Sequence, residues 1–91
     1  MNEEILFADQ TVLQKSDILK SSAWEIFVYI RHPGLNIRQV FEILTDARKT
    51  REITVRYGET VEGVYTGFTE LVSIRKEDSG QYTAILQKAV G

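Results

Sequence analysis

The chain has 91 residues, a net charge of −2 and no cysteine. A chain of that length supports one core and a single domain, residues 1–91, and the lack of thiols excludes disulfide staples, thiolate catalysis and thiolate metal sites. Eleven basic side chains against thirteen acidic ones leave too little net charge to steer the molecule toward nucleic acid. The acidic opening Met1-Asn2-Glu3-Glu4 lacks the basic and then apolar profile of a secretory signal, and no apolar run reaches the ~20 residues a membrane helix needs.

Ile5-Leu6-Phe7-Ala8 and Thr11-Val12-Leu13-Gln14, joined by Asp9-Gln10, predict a hairpin, with Asp9-Gln10 standing where Asp-Gly is commoner. The polar stretch from Lys15 to Ala23, anchored only by Ile18 and Leu19, reads as a connection with a helical turn capped by Ser16. Trp24, Ile26, Val28 and Ile30 then alternate with Glu25, Phe27 and Tyr29. Both faces are largely apolar, as in a central strand. His32-Pro33-Gly34-Leu35 stops that strand in a type II turn, Pro33 fixing φ and Gly34 taking the positive φ.

Asn36 as N-cap and Gln39 three residues later form a capping box that opens a helix running to about Ala47. Leu35 and Val40 occupy the positions of a hydrophobic staple. Ile37, Val40, Phe41 and Leu44 recur on one stripe, which must bury against a sheet. Arg48 and Lys49 follow at the end where the helix dipole favours cations.

From Glu52 to Lys88, alternating runs separated by glycine-bearing turns predict a meander of strands. Gly58 and Gly67 each fit the first central position of a two-residue hairpin turn, a bulge inside a longer hairpin being also compatible with Gly67, and Glu77 to Gly80 form a longer loop. Ile53, Val55 and Leu71 are expected in the core, and the last strand, Gln81 to Lys88, places Tyr82, Ala84 and Leu86 on one side and Ile85 on the other. No internal repeat is visible. The fold class expected is α+β: one antiparallel β-sheet of about six strands, including the C-terminal meander, with a single α-helix packed on a face.

The search for chemistry yields no catalytic set. The single histidine, His32, sits in a turn without the spaced partners a metal or a general base requires, so neither a metal nor a cofactor is expected. Glu3 and Glu4, Glu59 and Glu62, and Glu77 and Asp78 are near one another in sequence but read as solvated turns and strand faces rather than as an acid pair in a cleft. An enzyme is not expected. Arg48, Lys49, Arg51 and Arg56 are the candidate nucleic-acid contacts, against the plainer reading of dipole complementation and a charged strand face. Tyr65 and Phe68, at an expected hairpin tip, and Tyr57 nearby are the candidate partner-binding residues, because exposed aromatics mark interfaces.

The run from Val64 to Lys88 resembles the C-terminal part of small proteins encoded in tailed phages and prophages of Gram-positive bacteria. In those, a tyrosine shortly before an aromatic-Thr pair precedes a strand, an acidic-glycine loop and a last strand; here the turn is Tyr65-Thr66-Gly67-Phe68-Thr69. Phe7-Ala8-Asp9-Gln10-Thr11-Val12 is similar to an aromatic-any-Asp-Gly-Thr-Val hairpin of the same proteins, with Gln10 in the glycine position. The resemblance implies a phage-encoded structural or assembly protein from the virion-morphogenesis region, with no catalytic residues to carry over. Its partner would be itself or another virion protein, in a homo-oligomer formed in the host cytoplasm and then in the virion, with no membrane. The alternative is a small monomeric inhibitor of a host enzyme or defence protein.

Overall fold

A computed structural model describes residues 3–89. In chain order the elements are β1 (Glu3–Phe7), β2 (Val12–Gln14), β3 (Ser16–Ser21), β4 (Glu25–Ile30), α1 (Ile37–Leu44), α2 (Ala47–Thr50), β5 (Glu52–Tyr57), β6 (Thr60–Thr66), β7 (Glu70–Lys76) and β8 (Tyr82–Gln87). The strands form two four-stranded antiparallel sheets, β2-β1-β5-β6 and β3-β4-β8-β7. The expected single sheet of about six strands is therefore corrected, while the coarser α+β reading stands.

The two sheets close on one core. Ile5, Phe7, Leu13, Ile53 and Val55 come from the first, and Ile26, Val28, Ile30, Tyr82, Ala84 and Leu86 from the second. These are the same-parity residues of their strands, which is what a face-to-face pair of sheets buries. Tyr82 carries a hydroxyl into this core and donates it to the Leu35 carbonyl at 3.0 Å, so its polar end is satisfied.

The first hairpin is present, but its loop is wider than Asp9-Gln10 alone. The Phe7 amide bonds to the Thr11 carbonyl at 2.8 Å and the Gln10 amide to the Phe7 carbonyl at 3.0 Å, leaving Gln10 at φ 75. Gln10 thus holds the left-handed position that a glycine would hold in such a loop. The segment after it is not a connection. Ser16–Ser21 is strand β3, the edge of the second sheet, and Ser16 is buried with its hydroxyl donated to the Gln14 carbonyl. Only Lys15 separates β2 from β3, and at φ 55 it turns the chain from one sheet into the other.

Strand β4 lies between β3 and β8, as its two apolar faces suggested. Trp24 does not extend its inner face. It precedes the strand and is exposed. The turn at Pro33-Gly34 exists, but Gly34 is absent from the residues with positive φ, so the turn is not type II. The capping box at Asn36 and Gln39 is formed, with both hydrogen bonds at 2.9 Å.

α1 stops at Leu44, with Thr45 as C-cap, and Asp46 caps a separate short α2 that carries Arg48 and Lys49. Of the expected stripe, Val40 and Leu44 are fully buried, whereas Ile37 and Phe41 are 46% and 49% exposed. The helix is only eight residues long and packs beside the outer strand β7 rather than across a sheet face. It inserts its Val40–Leu44 ridge and leaves the Ile37–Phe41 ridge outside.

The C-terminal meander is split. β5 pairs with β6 through the two-residue turn Gly58-Glu59, with Gly58 at φ 63. β7 pairs with β8 across the Glu77–Gly80 loop, with Gly80 at φ 89. β6 and β7 belong to different sheets. Gly67, at φ 82, is where the chain crosses between them, and it is tied in place by Gly67 N to the Arg51 carbonyl (3.1 Å) and Ala89 N to the Gly67 carbonyl (3.3 Å).

The topology contains a repeat that the sequence did not display. Exchanging β1, β2, β3 and β4 for β5, β6, β7 and β8 maps each sheet order onto itself, with β1·β5 and β4·β8 as the central pairs. In each half the passage between sheets falls on a positive-φ residue, Lys15 or Gly67. The edge strands β3 and β7 also carry matching irregularities, between Ile18 and Lys20 and between Leu71 and Ser73. Around them the sequences run Ser16-Asp17-Ile18-Leu19 and Thr69-Glu70-Leu71-Val72: hydroxyl, acid, aliphatic, aliphatic.

Candidate functional site

Phe68 was expected at an exposed hairpin tip. It is 5% exposed and belongs to the core cluster. Because Gly67 is a crossing rather than a hairpin turn, the next side chain points between the sheets and plugs that end of the sandwich. Tyr65 meets it edge-on, ring centroids 6.3 Å apart at 70°, and the Lys88 ammonium sits 5.5 Å from the Phe68 ring centre.

Tyr65 is itself half-buried, its ring folded back over Gly63, where a Cβ would lie 3.1 Å from the ring. An aromatic laid over a glycine on an edge strand recovers apolar contact that the missing side chain forgoes. Tyr57 is also half-buried, opposite Glu3 at the end of β5. The three aromatics therefore form no exposed patch, which corrects the expected aromatic contact.

The basic residues do not converge either. Arg48 pairs with Asp46 at 3.2 Å, Lys49 with Asp9 at 2.6 Å, and Arg56 with Glu4. Lys49 also donates to the Thr11 hydroxyl at 3.0 Å, locking the first hairpin to α2. It holds the Asp9 carboxyl well below the usual carboxylate range, and the Arg48 guanidinium lowers Asp46 in the same way. Cations already neutralised by carboxylates have little left for phosphates. Arg51 is exposed at the C-cap of α2, a single cation rather than a patch.

His32 keeps its turn role, its Nδ1 accepting from the Gly34 amide at 3.1 Å. Among the described residues no group of three or more metal-ligating side chains converges, and no helix is long and apolar enough to cross a membrane.

What the fold does leave open is a strand edge. The four outer strands are β2 and β6 in one sheet and β3 and β7 in the other. β2 has only three residues. β3 and β7 carry bulges together with Lys20 or with Arg75 and Lys76, devices that keep edges from pairing. β6 is a seven-residue strand, Thr60–Thr66, without lysine, arginine or proline. Its one irregularity is the extra residue Glu62, between the pairs Val55↔Gly63 and Arg56↔Val61.

Val61 and Val64 are each 55% exposed. By register they stand on the outer face beside Arg56 and Thr54, and Thr54 continues across β1 and β2 to Leu6 and Val12. The cross-strand row Val12, Leu6, Thr54, Val64 is thus an uncharged strip that ends on the free edge of β6.

A second cluster sits at the seam where β1 meets β3. Glu3, Asp17, Leu19, Tyr29 and Arg31 line an open depression of about 260 Å³. The Glu3 Oε2 atom is out of solvent and has no donor among the described residues. Its carboxyl is pushed up to about 7, first by a hydrogen bond with Asp17 and then by burial, the Asp17 charge and the Glu62 charge, with Arg31 opposing. Each cause except Arg31 disfavours a negative charge there.

No protein-family model, curated protein or solved structure matches the chain. Sequence reasoning missed Val61 and Val64, although a signal was there: in Thr-Val-Glu-Gly-Val-Tyr-Thr the valines fall on opposite parities, which a one-residue bulge brings onto one face. Glu3 and Asp17 carried no comparable signal, since only the turn at Lys15 brings them together.

Proposed function

We propose that the protein is a non-enzymatic structural or assembly component of a tailed-phage or prophage particle, acting through protein–protein contacts with copies of itself. The observation that supports this reading is the edge of β6, a seven-residue strand whose outer side pairs with no strand among the described residues, with two exposed valines, no lysine, arginine or proline, and Glu62 at the bulge as its single charge. Such an edge pairs with another strand through main-chain hydrogen bonds, and the valines add apolar contact. The phage assignment itself rests on the resemblance of Val64–Lys88 and Phe7–Val12. With Phe68 in the core, the contact moves from the aromatic turn to the strand leading into it.

The test is light scattering on the wild type and on Val61→Lys/Val64→Lys over a range of concentrations. Both valines are exposed, so the double change should alter stability by less than about 1 kcal/mol while charging the edge. The wild type is expected to self-associate and the double variant to remain monomeric. A wild type that is strictly monomeric at high concentration contradicts self-assembly and favours the monomeric-inhibitor reading.

A further inference from the structure

Glu3 stands out among the acidic residues because of its surroundings. It is the first residue of β1, opposite Tyr57 of β5, at the place where β1 also contacts β3. The groups that face it are Asp17 from β3, Tyr29 from β4 with Arg31 just beyond, and Glu62 from β6. Asp17 already accepts from the Ile18 amide through Oδ1 at 2.7 Å, and the Tyr29 hydroxyl is committed to Gln81.

An ionised Glu3 therefore holds a desolvated oxygen, without a donor among the described residues, beside a second carboxylate. Two ionised carboxylates are acceptors only and cannot bond to each other. A proton on Glu3 supplies the missing donor, and a charge-assisted O–H···O⁻ bond then joins β1 to β3.

We propose that Glu3 and Asp17 form a proton-operated latch across the seam between the two sheets, closed when Glu3 carries a proton and loosened when it is ionised. The proton comes from solvent and returns to it. Arg31 limits the repulsion in the ionised form. Closing the latch fixes the N-terminal end of β1 against β3; opening it frees that end while the rest of β1 stays held by β2 and β5.

The sign follows from the carboxyl being raised from 4.5 to about 7 in the folded protein. Below about 4.5 Glu3 is protonated in both folded and unfolded chains, and the latch contributes fully. As pH rises from there to about 7 the unfolded chain sheds its proton first, so stability falls, and above about 7 the contribution is gone.

Thermal unfolding and amide exchange of the full chain at pH 5 and pH 8 test this, using wild type, Glu3→Gln and Asp17→Asn. Glu3→Gln keeps a neutral donor toward Asp17 at every pH, and Asp17→Asn removes the opposing charge and leaves Glu3 a neutral neighbour. The wild type should melt lower at pH 8 than at pH 5, with protection of the Glu4–Leu6 amides reduced about tenfold relative to Glu3→Gln at pH 8. Both variants should show a smaller difference between the two pH values.

The same pH dependence in wild type and Glu3→Gln overturns the latch. So does a Glu3 carboxyl that titrates by NMR near 4.5. Should Glu3→Gln fail to fold, Asp17→Asn decides alone: a Glu3 titration shifted down by that change supports the latch, and an unmoved one overturns it.

Discussion

At the level of single residues, the phenylalanine within the helix and the one after the crossing have exchanged the roles their sequence positions suggest. Phe41 has helical spacing from Ile37 and Leu44 and looks like core; Phe68 follows a glycine and looks like a tip. In the fold Phe41 is half exposed and Phe68 is buried beside Tyr65. Phe68→Ala should cost ~3–5 kcal/mol by loss of transfer energy and the cavity left at the end of the sandwich. Phe41→Ala should cost about 1 kcal/mol or less, as for a surface change. Urea unfolding of both variants checks the order, and a larger loss at Phe41 would mean that the helix seats on its other ridge. Periodicity showed which residues share a helix face. It could not show how much of that face an eight-residue helix beside an outer strand buries.

Among the elements, the strands that alternation marked are present: β5 buries Ile53 and Val55 as its parity suggested, and β4 and β8 each bury one side of their alternation, Ile26, Val28 and Ile30 in one and Tyr82, Ala84 and Leu86 in the other. β3 was not legible, because Ser16-Asp17-Ile18-Leu19-Lys20-Ser21 holds two adjacent apolar residues on opposite parities. The bulge between Ile18 and Lys20 accounts for that break in alternation.

The split of the meander was hidden for a related reason. A positive-φ glycine serves a hairpin turn and a sheet crossing equally well, and Gly67 is a crossing. Beyond Gly67 and its two chain neighbours, no atom lies within 4 Å of where a Cβ would stand on Gly67, so Gly67→Ala tests the backbone alone. It should destabilise by ~1–2 kcal/mol, the cost of a left-handed residue bearing a Cβ. A neutral substitution in denaturant unfolding would show that the crossing relaxes to another conformation.

For the molecule as a whole, the organising fact is the pairing of two ββββ halves, β1 with β5 and β4 with β8. This pairing explains how eight strands close on one core without a long helix layer, with α1 and α2 as the link between halves. It also explains why the repeat was invisible in the sequence: what recurs is the order of pairing and the place of the bulge, and few residues recur with it.

The halves differ most at their outer strands in the first sheet, three residues in β2 against seven in β6. That difference leaves β6 as a long edge without lysine, arginine or proline, its single charge being Glu62 at the bulge, and assembly through it is the central claim. Amide exchange over β6 at low and high protein concentration tests the claim most directly. Protection of the Val61–Thr66 amides that rises with concentration, while the α1 amides stay unchanged, is the predicted result. Protection that rises instead around Ile37 and Phe41, or nowhere, would contradict it.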